Sequence, residues 1–159
     1  MVEVARSAGF NHYSLSYPHR LLIIQVDGLL LVADSGLMQK QKISSYRDLF
    51  VWQKAMDLTT NIYQLTAQLP PEERYGISSQ MRRAAVSIPS NIAEGSYRGT
   101  RKDYRNFILV AYGSGAELET QLEILNRLGL VARGNIVTAQ HLLNSVMRML
   151  NNLAKELAT

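Results

Sequence analysis

Residues 80–105 read QMRRAAVSIPSNIAEGSYRGTRKDYR, and this stretch determines how the rest of the chain is arranged. An apolar stripe with steps of three and four residues runs through its first half, which places these side chains on one face of a helix. The stripe consists of Met81, Ala84, Ala85, Ile88 and Ile92. A polar stripe runs beside it, at Gln80, Arg83, Ser87, Asn91, Glu94 and Arg98. A helix with these two adjoining stripes is expected to pack against more than one neighbour.

Pro89 lies inside this helical pattern. Proline lacks an N–H group and its ring clashes with the carbonyl four residues earlier, so we expect a kink and an Ala85 carbonyl without its helical partner. A buried carbonyl without a partner costs about 1–3 kcal/mol, and a nearby hydroxyl or amide can satisfy it. We therefore expect a structural polar network at the kink, formed by Ser87, Pro89, Ser90, Asn91, Glu94 and Ser114. The alternative is a small polar binding pocket.

Three further amphipathic patterns with helical spacing follow residue 44, and no strand pattern appears there. They predict helix one at 45–69, helix three at 101–128 and helix four at 136–157. Helix two begins near Ser78 or Ser79, either of which can cap it. Four amphipathic helices joined by short loops predict an all-α protein, an antiparallel up-down four-helix bundle.

Several small residues carry specific expectations in this bundle. Gly95 is expected to loosen the chain after helix two, and Thr100 with Asp103 is typical of a cap that starts helix three. Gly113 and Gly115 lie in the middle of helix three, where each costs about 1 kcal/mol relative to alanine. We therefore expect both of these glycines at places where a neighbouring helix comes close.

The segment 1–44 differs from the predicted bundle at 45–159, because it has few charges and no helical period. Residues 21–33 read LLIIQVDGLLLVA, too short and too interrupted for a membrane span, which needs about 20 apolar residues. Asp27-Gly28 between two apolar runs predicts a β-hairpin. The alternative is that this segment is not part of the native fold and that the native start is Met38.

Composition excludes several classes of function. The 159 residues correspond to one ordinary domain, and the absence of cysteine excludes disulfides, thiolate metal sites and thiol nucleophiles. It is compatible with a reducing cytoplasm, where we expect the protein to lie, without contact with a membrane. The net charge of +4 is too small to indicate nucleic-acid binding by itself.

No constellation of an enzyme is present in the sequence. The three histidines, His12, His19 and His141, form no Glu-x-x-His pair of the kind that binds di-iron centres in helical bundles. Serine hydroxyls are present, but nothing in the sequence places a histidine base beside them. We therefore expect no catalytic residue, no metal site, no cofactor and no enzymatic activity.

A basic cluster surrounds the predicted start of helix three, and its members are Arg98, Arg101, Lys102 and Arg105. Cations together with the free N–H groups of a helix N-terminus can bind phosphate. Tyr97 and Tyr104 lie near enough in sequence to stack on unpaired bases. This pattern predicts a nucleic-acid site, and the alternative is an ordinary solvated face in which Glu94 pairs with one of the arginines.

Two further arginines, Arg82 and Arg83, lie outside this cluster. If helices two and three are antiparallel about residue 99, these arginines fall opposite Glu117 and Glu119. We therefore expect ion pairs there.

Three segments together resemble a known family. They are LFVWQKA at 49–55, QMRRAAVSIPSNIAEG at 80–95 and GSGAELETQL at 113–122. From about residue 45 to 157 the chain resembles the four-helix-bundle proteins encoded within intervening sequences of bacterial 23S rRNA genes. The resemblance implies an up-down four-helix bundle that assembles as a homo-oligomeric ring, typically a pentamer, and it supplies no catalytic residues.

Distant relatives of that family include the accessory protein of diversity-generating retroelements, which works with a reverse transcriptase and RNA. The resemblance therefore implies nucleic-acid binding, with RNA favoured over DNA. The alternative is a protein-interaction scaffold that recruits a partner such as a polymerase or reverse transcriptase.

Overall fold

The computed structural model describes residues 44–158 and, before them, only the backbone of four strands. The chain divides into two compact units, residues 1–45 and 46–159. In the first unit the strands form one antiparallel sheet in sequential order. They are β1 at Tyr13–Ser14, β2 at Leu22–Val26, β3 at Leu29–Asp34 and β4 at Leu37–Lys42.

The pairing of β2 with β3 brings Val26 opposite Leu29. This is the register that a two-residue turn between the strands requires, in agreement with the predicted hairpin. The turn residues Asp27 and Gly28 lie outside the described residues. That the segment 1–44 lies outside the native fold stays a prediction.

The second unit is a four-helix bundle, as predicted. Its helices are α1 at Phe50–Thr66, α2 at Ile77–Ser96, α3 at Arg101–Leu128 and α4 at Arg133–Glu156. Short 3₁₀ turns at Tyr46–Asp48 and Pro71–Arg74 precede α1 and α2. Each helix packs against its neighbours in sequence, and α4 closes the bundle against α1. One end of the bundle therefore holds the starts of α1 and α3 and the ends of α2 and α4.

The core consists of the predicted apolar stripes. All four helices contribute side chains that are removed from solvent, and burial of such a side chain contributes about 1.5–3 kcal/mol. The largest of them are Leu58, Ile62, Leu65, Met81, Ile88, Ile92, Ile108, Leu118, Leu122, Leu125, Ile136 and Leu143.

Helix boundaries agree with the sequence patterns to different degrees. The bounds of α3 are as predicted, and Thr100 Oγ1 accepts a hydrogen bond from the Asp103 backbone N–H at 3.0 Å. The predicted cap of α2 is wrong, because the helix begins at Ile77 after Gly76, and Ser78 is buried inside it. The Ile77 N–H instead donates to Glu73 Oε2 at 3.4 Å.

The glycines do not all serve as predicted. Gly115 is buried against Met147 of α4, so its close helix approach is confirmed. A Cβ at Gly113 would meet nothing within 4 Å, so the same prediction is wrong there. Gly95 does not loosen the chain but lies buried inside α2, where a Cβ would stand 2.8 Å from Phe107 Cβ.

The hydroxyl expected at the Ala85 carbonyl comes from a different helix. Helix α2 is continuous from Ile77 to Ser96 with Pro89 buried inside it. Thr59 Oγ1 of α1 lies 3.0 Å from Ala85 O and 2.8 Å from Ala55 O, so its single proton is shared between the two carbonyls. The carbonyl that the proline leaves without a helical partner thus joins α1 to α2.

Replacing Thr59 with valine should lower the free energy of unfolding by about 1–3 kcal/mol, because the side chain keeps its shape while the Ala85 carbonyl loses its donor. Chemical denaturation followed by circular dichroism measures this change. The matched control is Thr60→Val, since Thr60 is exposed and donates only to Met56 within α1. Equal losses in the two variants would contradict a role for the hydroxyl in joining the helices.

Candidate nucleic-acid interface

The predicted basic cluster lies at the end of the bundle where α2 ends and α3 begins. We call this surface the basic end and define it by Arg47, Arg98, Arg101, Lys102 and Arg105. These cations differ in the contacts that they make.

Arg101 and Arg105 hold the end of α4. Arg101 Nη2 donates to Glu156 O at 2.7 Å, and Arg105 Nε donates to Ala154 O at 3.1 Å. The last carbonyls of a helix have no partner within it and carry its negative dipole, so cations there are favourable. Each guanidinium has five N–H donors, and these bonds use one apiece. Both arginines therefore anchor α4 and keep further donors.

Arg98 behaves as the solvated-face alternative predicts. It forms an ion pair with Glu94 one turn earlier, and its guanidinium lies 4.7 Å from the centre of the Phe107 ring. Ion pairs on an exposed helix face contribute only about 0.3–0.5 kcal/mol. Lys102 differs, because it is exposed and has no hydrogen bond or ion pair within the described residues 44–158.

An aromatic cluster lies beside these cations. The Tyr97 side chain is 80% exposed, and its ring meets the edge of Tyr46 with centroids 5.8 Å apart. Tyr46 in turn meets Trp52 at 5.3 Å, and the Arg47 guanidinium lies 5.7 Å from the Tyr46 ring. Sequence reasoning missed Tyr46 and Arg47, because it placed both inside predicted helix one, whereas they lie in the 3₁₀ turn before α1.

Tyr104 is half-buried, which does not favour the predicted stacking on an unpaired base. Its half-buried ring packs against Gly95, where a Cβ would lie 2.7 Å from Tyr104 Cδ2. Burial raises the pKa of the Tyr104 phenol to about 12, so the group stays protonated at neutral pH. Its hydroxyl has no hydrogen-bond partner within the described part of the chain.

Three members of the predicted polar network do meet between α2 and α3. Ser87 Oγ and Ser114 Oγ are 2.8 Å apart, and Asn91 Nδ2 donates to Ser87 O at 2.8 Å. Asn91 Nδ2 also lies 3.0 Å from Ser87 Oγ. These groups are half-buried and satisfy one another, which supports the structural interpretation over a binding pocket.

The other members of that set lie apart from it. Ser90 is exposed and donates to Val86 O in its own helix at 2.8 Å. Glu94 is occupied by Arg98. Pro89 contributes by freeing the Ala85 carbonyl, whose donor is Thr59 and not a member of the predicted set.

The predicted ion pairs of Arg82 and Arg83 with Glu117 and Glu119 are absent among the described residues. Arg82 Nε instead donates to Thr66 Oγ1 at 2.8 Å, and the guanidinium lies 4.9 Å from the Tyr63 ring centre. Arg83 is exposed.

The described residues contain no group of three or more histidine, aspartate or glutamate side chains that could hold a metal ion. Among the helices that the structure describes, none combines the length and the apolar character needed to cross a bilayer.

A similar solved structure is that of a protein with unknown function from the S23 ribosomal protein family of Bacteroides thetaiotaomicron VPI-5482. The two chains are 25% identical with a TM-score of 0.62, and the match covers 66% of this chain and 98% of that one. Among curated proteins, none matches this chain.

A family model gives the assignment directly. The model described as 23S rRNA-intervening sequence protein matches residues 47–152, which span the bundle from just before α1 into the last turns of α4. The chain therefore belongs to the 23S rRNA-intervening sequence protein family.

Proposed function

We propose that this protein is a non-enzymatic, self-associating helical bundle of the cytoplasm that binds nucleic acid at the basic end. The observation that carries the proposal is the exposed Tyr97 ring, seated on Tyr46 beside the cations at the start of α3. Stacking of a base on an aromatic ring contributes about 1–3 kcal/mol and requires an unpaired base. The family description names a ribosomal RNA sequence, which is why we favour RNA over DNA.

Phosphate binding at this end has two sources. Lys102 and the remaining donors of Arg101 supply charge, and the first turn of the 28-residue helix α3 supplies backbone N–H groups. One acid, Asp103, lies in this first turn of α3. Its Oδ2 accepts a hydrogen bond from Thr100 Oγ1 at 2.6 Å. Contacts of this kind position a nucleic-acid backbone without reading its sequence. Binding should therefore be weakly specific and strongly dependent on salt.

The test is the anisotropy of a labelled RNA with single-stranded loops, titrated with the full chain at two salt concentrations. The variant Tyr97→Ala with Lys102→Glu should lower RNA affinity at least about tenfold, since one stacked base alone contributes about 1–3 kcal/mol. Arg101 and Arg105 stay unchanged because they hold α4.

The matched control is Tyr75→Ala with Arg74→Glu, which removes a tyrosine and reverses one positive charge at exposed residues before α2. It should bind RNA as the wild type does. An equal loss of affinity in both variants, or no binding by the wild type at low salt, would exclude the basic end as a nucleic-acid site.

Self-association is proposed on a different surface. No charged residue occurs in 84–93 of α2 or in 106–116 of α3, and the Ser87–Ser114 contact brings these segments together. Their outward side includes exposed apolar side chains, and at Gly113 a neighbouring chain could approach closely. We call this the neutral face: Val86, Leu109, Val110 and Gly113. Exposed apolar patches rimmed by polar residues mark interaction sites.

A second copy of this chain is the proposed occupant of the neutral face, in a ring that the family resemblance expects to contain five chains. Leu109→Glu should convert the assembly to smaller species in sedimentation equilibrium, because a charge would be buried without a partner. Leu128→Glu is the control, since Leu128 lies on the same helix and is more exposed. A monomeric wild type would instead favour the alternative scaffold, in which the neutral face recruits another protein such as a polymerase or reverse transcriptase.

A further inference from the structure

The outward side of α4 carries a continuous exposed stripe. Its members recur at steps of three and four residues, as one helical face requires. They are Arg133, Val137, His141, Asn144, Arg148, Asn151 and Lys155.

The second half of this stripe has basic side chains with no acid three or four residues away on α4, although Glu156 directly follows Lys155. The positions three and four residues from Arg148, in both directions, hold Asn144, Ser145, Asn151 and Asn152. A helix face that is only solvated usually alternates charges of both signs at this spacing, as Glu123 and Arg127 do on α3. Neither Arg148 nor Lys155 has an ion pair within residues 44–158.

The asparagines between these cations are also unusual. Asn144 and Asn151 are exposed inside α4 and make no hydrogen bond to another described residue. Asparagine is a poorer helix former than alanine in a helix interior. No described residue offsets that disadvantage, whereas amide groups on a surface can donate to and accept from an incoming partner.

The last residue of the stripe, Lys155, lies at the basic end. Arg105 donates to Ala154 O and Arg101 donates to Glu156 O. Lys155 lies between these two residues in the sequence and is therefore close to both arginines. From Lys155 back to Asn144 the helix rises about 17 Å. The first half of α4 has acidic residues beside it. The contact of Gly115 with Met147 sets Glu119 and Glu123 of α3 next to this half of the helix.

We propose that the α4 rail, formed by Asn144, Arg148, Asn151 and Lys155, continues the nucleic-acid path from the basic end along α4. Arg148 and Lys155 contact phosphates, and the two asparagines form hydrogen bonds to the sugar-phosphate backbone. This inference rests on the proposed function and extends it. The proposed site then extends from the α2–α3 turn along the outward side of α4.

The first test is the salt dependence of RNA binding by Arg148→Gln with Lys155→Gln. Each phosphate contact contributes about 0.7 to the slope of log affinity against log salt for a single strand, so the slope should fall by about 1.4. The control is Arg74→Gln with Arg83→Gln, which removes the same charge from exposed residues toward the opposite end of the bundle. Its slope should match that of the wild type.

The second test separates binding from stability. Asn144→Ala with Asn151→Ala should raise the midpoint of chemical denaturation, because alanine is the better helix former. The same variant should lower RNA affinity several-fold, since it removes two side chains that form hydrogen bonds to the RNA backbone. A purely structural role for these amides predicts no loss of affinity.

The outcomes separate this inference from the proposed function. If the α4 rail variants bind as the control does while the Tyr97→Ala, Lys102→Glu variant is weak, the rail is wrong and the basic end stands. If the wild type shows no salt-dependent binding, both are wrong. A reduced slope in the rail variant with an unchanged control establishes the extended path.

Discussion

Replacing Leu118 with alanine is expected to lower the free energy of unfolding by about 2–5 kcal/mol. Leu118 is 0% exposed in the middle of α3, so truncation both loses buried apolar surface and leaves a cavity. The surrounding helices can relax only in part, because all four contribute to the same core. Denaturation with guanidinium, followed by circular dichroism at 222 nm, measures the loss.

The matched control for this prediction is Leu128→Ala. Leu128 is the last residue of the same helix and is 60% exposed, so the same truncation removes little buried surface. We expect a change within about 0.5 kcal/mol. Similar losses at the two positions would mean that Leu118 does not lie in a packed core.

Replacing Gly95 with valine is expected to lower the free energy of unfolding by about 1–3 kcal/mol. A Cβ at this position would lie 2.7 Å from Tyr104 Cδ2 and 2.8 Å from Phe107 Cβ. Phe107 Cβ is fixed to the backbone of α3, so the two helices themselves must move apart. The displacement also exposes Tyr104, so the pKa of its phenol should fall from about 12. A titration followed by phenolate absorbance measures this change as a second test of the packing.

Gly134→Val provides the control for Gly95. A Cβ at Gly134 in the first turn of α4 would meet nothing within 4 Å. Valine there should change stability by less than about 1 kcal/mol, since only helix propensity differs. A Gly95→Val protein as stable as this control would contradict the close packing of α2 on α3.

The fold was predictable because each helix carries its own periodic apolar stripe. Helix α3 was predicted with its bounds, since Thr100 supplies a local cap and Gly129 a left-handed end with φ 64°. Helix α1 starts later than predicted because Tyr46–Asp48 forms a separate 3₁₀ turn, and it also ends three residues earlier, at Thr66. Such a turn has almost the same apolar spacing as an α-helix, so periodicity alone does not separate them.

Contacts between helices were less predictable. The sequence indicated that Pro89 leaves the Ala85 carbonyl in need of a donor, but not that Thr59 supplies it from 26 residues earlier. Arg101 and Arg105 likewise bond carbonyls 55 and 49 residues away. Charge and position along the chain do not reveal such partners, because they depend on the register between packed helices.

The candidate site was predicted in part for the same reason. A cluster of cations can be read from the sequence, and Tyr97 is exposed as a stacking residue must be. The nearby Tyr104 looked equivalent, yet it points into the contact with Gly95. Tyr46 joins Tyr97 only through the fold, since 51 positions separate them and the bundle brings the start of α1 to the end of α2.

The most direct test of the account is ultraviolet crosslinking of the full chain to an RNA that contains 4-thiouridine, followed by peptide mapping. Tyr97 and Tyr75 are both exposed, at 80% and 89%, and they lie at opposite ends of the bundle. We predict adducts on the peptide that contains Tyr97 and none on the peptide that contains Tyr75. Adducts at Tyr75 without adducts at Tyr97 would contradict nucleic-acid binding at the basic end.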